Sequence, residues 1–263
     1  MLAPNTQLLS NDNESSWPHA PRTLLLIAIV FLATAAGCLM IDMPMLRMMR
    51  DTDPPGDIQR LVDFSEGFGH GLGVGLIILT VAVLANSWKK AVTLATYAYG
   101  AGLLCDAVKF IVARHRPYHG VDFEGRLTDT FIAWLPWING VPLDQPTSSF
   151  PSAHAATAFG LAIGLTRLYP RGRFIFFFCA ILGAVQRLDS YAHYTSDVIA
   201  GAGIAFVVAS IMACEWTLAT IWIRSESATI SCEELPPRPE IVPPEIVPPE
   251  IAPRADAPPR RCA

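Results

Sequence analysis

The 263-residue chain is expected to fold as an all-α, six-transmembrane-helix bundle, and three observations lead there. Its residues are 52% hydrophobic and only 16% charged, with a mean hydropathy of +0.37, outside the usual range of a soluble domain. Apolar runs long enough to approach a bilayer's hydrocarbon thickness recur six times. Within lipid each backbone amide must be satisfied inside its own segment, so each run reads as helix rather than strand.

The runs cover about Leu24 to Ile41, His70 to Ala85, Ala91 to Ala113, His154 to Tyr169, Phe174 to Ser190 and Tyr194 to Ile223. Glycines at 71, 73, 75, 201 and 203 suit close helix packing. A cleavable signal peptide is the alternative for the first run, since Ala35-Ala36-Gly37-Cys38 offers small residues, but the region before it is long for a signal and carries only Arg22. Basic residues set the orientation: Lys89 and Lys90, then Arg167, Arg171 and Arg173, then Arg224 belong inside. Both termini are then cytoplasmic, and the loops 42 to 69, 114 to 153 and the turn near 189 to 193 face outward. The net charge of −4 carries no basic stripe, which excludes a nucleic-acid partner. Cys38, Cys105, Cys179 and Cys214 lie in apolar runs without paired spacing and read as small core residues.

Three regions follow. Residues 1–22 are expected to be disordered, residues 23–224 form the membrane domain, and residues 225–263 form a disordered proline-rich cytoplasmic tail. Ten of the 22 prolines lie beyond Leu235, and Glu-Ile-Val-Pro-Pro repeats from Glu240 and Glu245; such a composition cannot pack a core.

Charged and polar groups at span ends are expensive and become functional candidates. Lys109 and Arg116-Pro117 close the third span, and a spacing of seven on a helix would put both cations on one face. Pro151-Ser152-Ala153-His154 opens the fourth, where free amides at a helix start suit an anion. Gln186-Arg187 leads to His193 and Asp197, four apart, so that a carboxylate could orient the imidazole. Separately these read as a snorkelling pair, an N-cap and a structural His-Asp pair. Together they supply a nucleophile, an orienting acid, a second imidazole and three cations at the outer ends of helices 3 to 6. Asp106, a turn before Lys109, and His70, in Gly-Phe-Gly-His-Gly, are further pocket candidates. Trp134 and Trp137, between Pro117 and Pro151, suit the headgroup level and the entry of a lipid tail.

In order and spacing, the segments Lys109 to Pro117, Pro151 to His154 and Arg187 to Asp197 resemble the three signature motifs of the type 2 phosphatidic acid phosphatase superfamily, which includes the vanadium haloperoxidases. The likeness spans about residues 60–222. It implies a lipid phosphate substrate and a metal-independent, cofactor-free phosphatase in which His193 is the nucleophile, Asp197 its support and His154 the acid. It further implies that Lys109, Arg116, Arg187, Ser152, Gln186 and the Ala153 amide cradle the phosphate. Ala153 stands where the family usually has glycine, and Gln186 where it usually has serine. The same site in a phosphotransferase, or in an inactive membrane scaffold, is the alternative.

Overall fold

The computed structural model describes residues 20–52, 54–118 and 126–214. Eight α-helices lie among them: α1 (Pro21–Cys38), α2 (Asp42–Arg50), α3 (Gly56–Phe64), α4 (Gly71–Leu84), α5 (Trp88–Lys109), α6 (Ala153–Leu168), α7 (Arg173–Asp189) and α8 (Thr195–Ala213). Of the expected end regions, residues 1–19 and 225–263 lie outside the described residues, as do the last nine residues, 215–223, of the sixth expected span; Pro21 and Arg22, expected to be disordered, instead begin α1.

α6 is the central element. It is built largely from Ala, Gly and Thr, and every residue from Ala155 to Thr166 is buried. α5, α7 and α8 pack against it, and α1 lies along α8. Small side chains let these helices approach closely. At Gly201 of α8 an added Cβ would overlap the carbonyl oxygen of Ser152, so any side chain there would force α8 away from the start of α6. Gly73 and Gly203 also face close neighbours, whereas a Cβ at Gly71 would meet nothing within 4 Å, although its carbonyl accepts from Tyr99 Oη at 2.8 Å.

The protein is an integral membrane protein. Leu26, Val30, Leu72, Leu84, Phe174 and Ile175 are exposed on the outside of the bundle, a surface that water would not tolerate on this scale. Three helical stretches among the described residues are long and apolar enough to cross a bilayer: Pro21–Arg50, Trp88–Lys109 and Thr195–Ala213. A fourth arises if Gly56–Phe68 and Gly71–Leu84, bent by 68°, form one span. α6 and α7 have 16 and 17 residues, about 24 to 26 Å of helix, a little short of the hydrocarbon thickness.

Two departures from the expected helices bear on the site. The third span was expected to run to Ala113, yet α5 stops at Lys109 and the chain continues as strand β1 (Val112–Arg114). β1 pairs antiparallel with β2 (Phe131–Trp134), Val112 opposite Trp134. Pro117 disfavours helical backbone in the residue before it, and extended chain is what remains. Lys109 and Arg116 therefore do not share a helix face. Of the cysteines, Cys105 is buried, Cys38 and Cys179 are half-buried and Cys214 is exposed, so the small-core reading holds fully for Cys105 alone.

Candidate active site

The alternating run of helices brings the C-terminal end of α5, the start of α6, the end of α7 and the start of α8 to one end of the bundle. Each motif sits at such an end. Lys109 is the last residue of α5, Ser152 is the N-cap of α6, Arg187 lies in the last turn of α7, and Asp197 lies in the first turn of α8.

His193 precedes α8 rather than belonging to it, so helical stacking on Asp197 is not what orients it. Its Nδ1 lies 2.7 Å from the Ser149 carbonyl, while the nearest Asp197 oxygen is 3.8 Å away. A carbonyl only accepts, so Nδ1 carries the proton. The neutral ring then presents a lone pair on Nε2, which has no hydrogen bond among the described residues. The imidazole is 4% exposed. Burial pushes its pKa below the ordinary histidine value, Asp197 pulls the other way, and Arg116 and Lys109 add to the lowering. Burial thus favours the neutral imidazole, and Arg116 and Lys109 act on it in the same sense.

Asp197 is wholly buried. Its Oδ2 accepts from Ser149 Oγ at 2.6 Å and from the Tyr194 amide at 3.0 Å; its Oδ1 accepts from Arg114 Nη1. The carboxylate therefore acts on His193 through its charge and through Ser149, whose hydroxyl it holds and whose carbonyl accepts the hydrogen bond from the imidazole Nδ1–H.

His154, second residue of α6, directs Nε2 to the Glu66 carbonyl at 3.1 Å. That makes Nε2 the donor and Nδ1 the nitrogen free to exchange a proton. Its ring lies within electrostatic reach of Arg187 and His193, and its centroid is 6.4 Å from that of His70. Gly69 makes the room, since a Cβ there would strike the His154 ring and backbone. Ser152 is fully buried, and its Oγ caps α6 by accepting from the Ala155 amide at 3.3 Å. Its own amide donates to the Asp197 carbonyl at 3.0 Å, tying the two helix starts together. Ala153 begins α6.

The three cations differ in their partners. Lys109 bonds Asp106 at 2.8 Å, and Arg187 Nη2 bonds Glu66 Oε1 at 2.8 Å. Arg116 Nη1 donates to Tyr118 Oη at 3.3 Å, but its Nε is buried without a partner among the described residues. A buried donor left so costs on the order of 1–3 kcal/mol, which an anion would recover. Gln186 is buried, and its Oε1 accepts from Arg187 Nε at 2.6 Å, so its amide steers the guanidinium. A cleft of about 430 Å³ opens beside His154, lined by His70, Asp106, Tyr99, Leu103 and Thr157 among others; His193 does not line it. Trp134 and Trp137 are exposed on and just after β2.

Sequence reasoning missed Asp42, Glu66, Arg114 and Ser149. Asp42 and Arg114 are charges at the ends of apolar runs, the signal that picked out Lys109, and the same signal applied evenly would have raised both. Glu66 and Ser149 act largely through backbone carbonyls and carry no such mark.

The sequence matches the model of the PAP2 superfamily over residues 90–220. A lipid A 1-phosphatase of Rhizobium etli is 28% identical in an alignment covering 64% of this chain and 74% of that protein. A lipid A 1-phosphatase of Rhizobium johnstonii is 33% identical over 44% of this chain and 43% of its own length. In fold, the chain is similar to the crystal structure of LpxE from Aquifex aeolicus, with a TM-score of 0.50 and 19% identity over 67% of this chain and 96% of that one. The family model covers all three motifs that meet at His193, and the chain belongs to the PAP2 superfamily.

Proposed function

We propose that the protein is a lipid phosphate phosphatase that removes the phosphate from lipid A 1-phosphate or a closely related phosphorylated lipid, through a phosphohistidine on His193. The observation that carries this reading is the tautomer of His193. With its Nδ1 proton directed to the Ser149 carbonyl, Nε2 is left as the lone-pair nitrogen, and Lys109 and Arg116 lie within electrostatic reach of the ring. The choice of lipid rests on likeness to the two Rhizobium lipid A 1-phosphatases.

In the first step His193 Nε2 forms a bond to phosphorus as the phosphorus–oxygen bond to the lipid breaks, and His154, entering as the imidazolium with one proton on Nε2 toward the Glu66 carbonyl and a second on Nδ1 that the bound anionic phosphate favours, gives the Nδ1 proton to the departing oxygen. The imidazolium that forms is balanced by Asp197, and the phosphoryl oxygens by Lys109, Arg116 and Arg187. Water then gives its proton to His154 Nδ1 and attacks phosphorus, the phosphorus–nitrogen bond breaks, and inorganic phosphate leaves. The cleft beside His154 suits the leaving group, with His70 and Asp106 on its wall. In this reading the chain crosses the membrane six times, with both termini cytoplasmic and the site on the opposite face. No step calls for a metal, since the three cations supply the charge neutralisation that a divalent ion gives elsewhere.

Purified protein should release inorganic phosphate from lipid A 1-phosphate in the presence of a chelator, and His193→Ala should lose at least about a thousandfold of that rate. Alkali-stable labelling of His193 and its loss in the variant would accompany it. Phosphate release that survives His193→Ala would overturn the mechanism. Transfer to an added acceptor lipid without phosphate release would identify a phosphotransferase instead.

A further inference from the structure

Arg114 is the largest side chain buried to 0% exposure among the described residues, and neither it nor its partner Asp42 has a part in the chemistry described so far. Its guanidinium is fixed from every side. Nη1 bonds Asp197 Oδ1 and Ser196 Oγ, Nη2 bonds Asp42 Oδ2 at 2.8 Å, and Nε lies 3.2 Å from Thr130 Oγ1. The Phe131 and Tyr194 rings stack on it, with centroids 4.7 and 4.0 Å away. Burial works against its charge, but Asp197 and Asp42 outweigh that and hold its pKa above the ordinary arginine value. Asp42, at the start of α2, accepts from the Ser196 amide at 2.9 Å and from Ser196 Oγ.

Burying three charges is costly, and a matched pair would cost less than an Asp–Arg–Asp triad with one negative charge left over. The surplus has a use. One arginine alone would neutralise Asp197; a second carboxylate on the same guanidinium returns negative potential to the side facing His193.

We propose that Asp42 and Arg114 are positioning residues for the nucleophile. Arg114 takes the Asp197 oxygen remote from His193, leaving the other for Ser149 and the imidazole, and Asp42 keeps the cluster net negative so that a positively charged, phosphorylated imidazole is stabilised. The backbone of Arg114 contributes as well, because its carbonyl accepts from the Ser149 amide at 3.0 Å, so one residue holds both Asp197 and the carbonyl that fixes the tautomer. The inference rests on the phosphohistidine reading.

The test is the pH dependence of kcat in Asp42→Asn, which keeps the shape and removes the charge. The charged or titratable groups facing His193 are Asp197 from α8, Lys109 at the end of α5, Arg116 beyond β1 and His154 from α6. All are unaltered in this variant. Loss of a nearby negative charge lowers the proton affinity of His193. The acid limb should therefore move down by roughly half a pH unit or more, with kcat about tenfold lower and KM within about twofold. Arg114→Lys keeps the charge but not the two-way fork, so its kcat should fall while the limb stays in place. An acid limb in Asp42→Asn that coincides with the parent's overturns the proposal. If Asp42→Asn does not fold, Arg114→Lys decides, and a parental kcat there overturns the proposal equally. Failure of the parent protein to release phosphate, or activity in His193→Ala, would refute the underlying reading and is seen before either variant is made.

Discussion

Replacing Gly201 by alanine adds one methyl group some distance from any reacting atom, yet it should impair both stability and catalysis. The new Cβ would overlap the Ser152 carbonyl oxygen and stand 3.3 Å from the Ser152 carbonyl carbon and from the Ala156 amide nitrogen. These are backbone atoms that cannot rotate aside, so α8 must move from α6 by about an ångström, an overpacking cost of roughly 1–3 kcal/mol. For a domain of about 200 residues that lowers Tm by roughly 2 to 12 °C. The same contact contains the Ser152 amide bond to the Asp197 carbonyl, which sets the start of α6 against the start of α8. His154 is carried by one and the His193–Asp197 pair by the other, so their spacing shifts too. A misplacement of about 1 Å costs on the order of a hundredfold in rate. Thermal unfolding in detergent and phosphate release, measured beside Gly37→Ala, provide the assay. A Cβ at Gly37 meets nothing within 4 Å, so that variant should match the parent in both. Parental Tm and rate in Gly201→Ala would refute the claim that this contact sets the site's geometry.

Two further outcomes follow from the electrostatics. Glu66 holds Arg187 with a carboxylate whose side chain is 45% exposed, and in the proposed mechanism the substrate phosphate displaces it. Glu66→Gln, which leaves intact the backbone carbonyl that His154 bonds, should lower KM by about 1.4- to 5-fold, the equivalent of the roughly 0.2–1 kcal/mol that an exposed ion pair is worth; a raised KM would show that Glu66 orients Arg187 instead. The proposed mechanism needs His193 neutral, and burial places its pKa below the ordinary 6.5. Activity should therefore persist as the pH falls through 6.5 and drop only below the lowered value, and an acid limb at or above 6.5 for kcat/KM would contradict the assigned nucleophile.

How much of this was legible beforehand depended on what each residue does with its side chain. Lys109, Arg116, His154, Arg187, His193 and Asp197 stand out as candidates because charge at the end of an apolar run is costly and needs a reason. Their convergence followed from alternating helices alone. The route of the chain between them was less readable. A helical period carried past Lys109 predicts a shared face for Lys109 and Arg116, but the turn into β1 depends on a proline eight residues on and on pairing with a strand 17 residues further along, from Arg114 to Phe131. Likewise a spacing of four suggested that Asp197 grips His193 directly. In fact Asp197 caps its own helix through the Tyr194 amide, and the carbonyl of Ser149, 44 residues upstream of His193, accepts the hydrogen bond from the imidazole.

The same contrast explains why the inner support of the site was invisible. Arg114 and Asp42 are separated by 72 residues, and Asp42 and Ser196 by 154. Local spacing cannot join them; only the close approach of helices that small residues permit can do so. Nothing in the triad touches the space where phosphate would lie, yet it determines which Asp197 oxygen faces the nucleophile and what net charge stands behind it. A substitution there would leave every motif intact and still slow the reaction, so the three motifs alone do not specify an active site. They require a buried counter-charge that α2 delivers from the N-terminal side of the bundle, and a chain keeping the motifs but lacking an acid at that place would need another way to hold Asp197 negative.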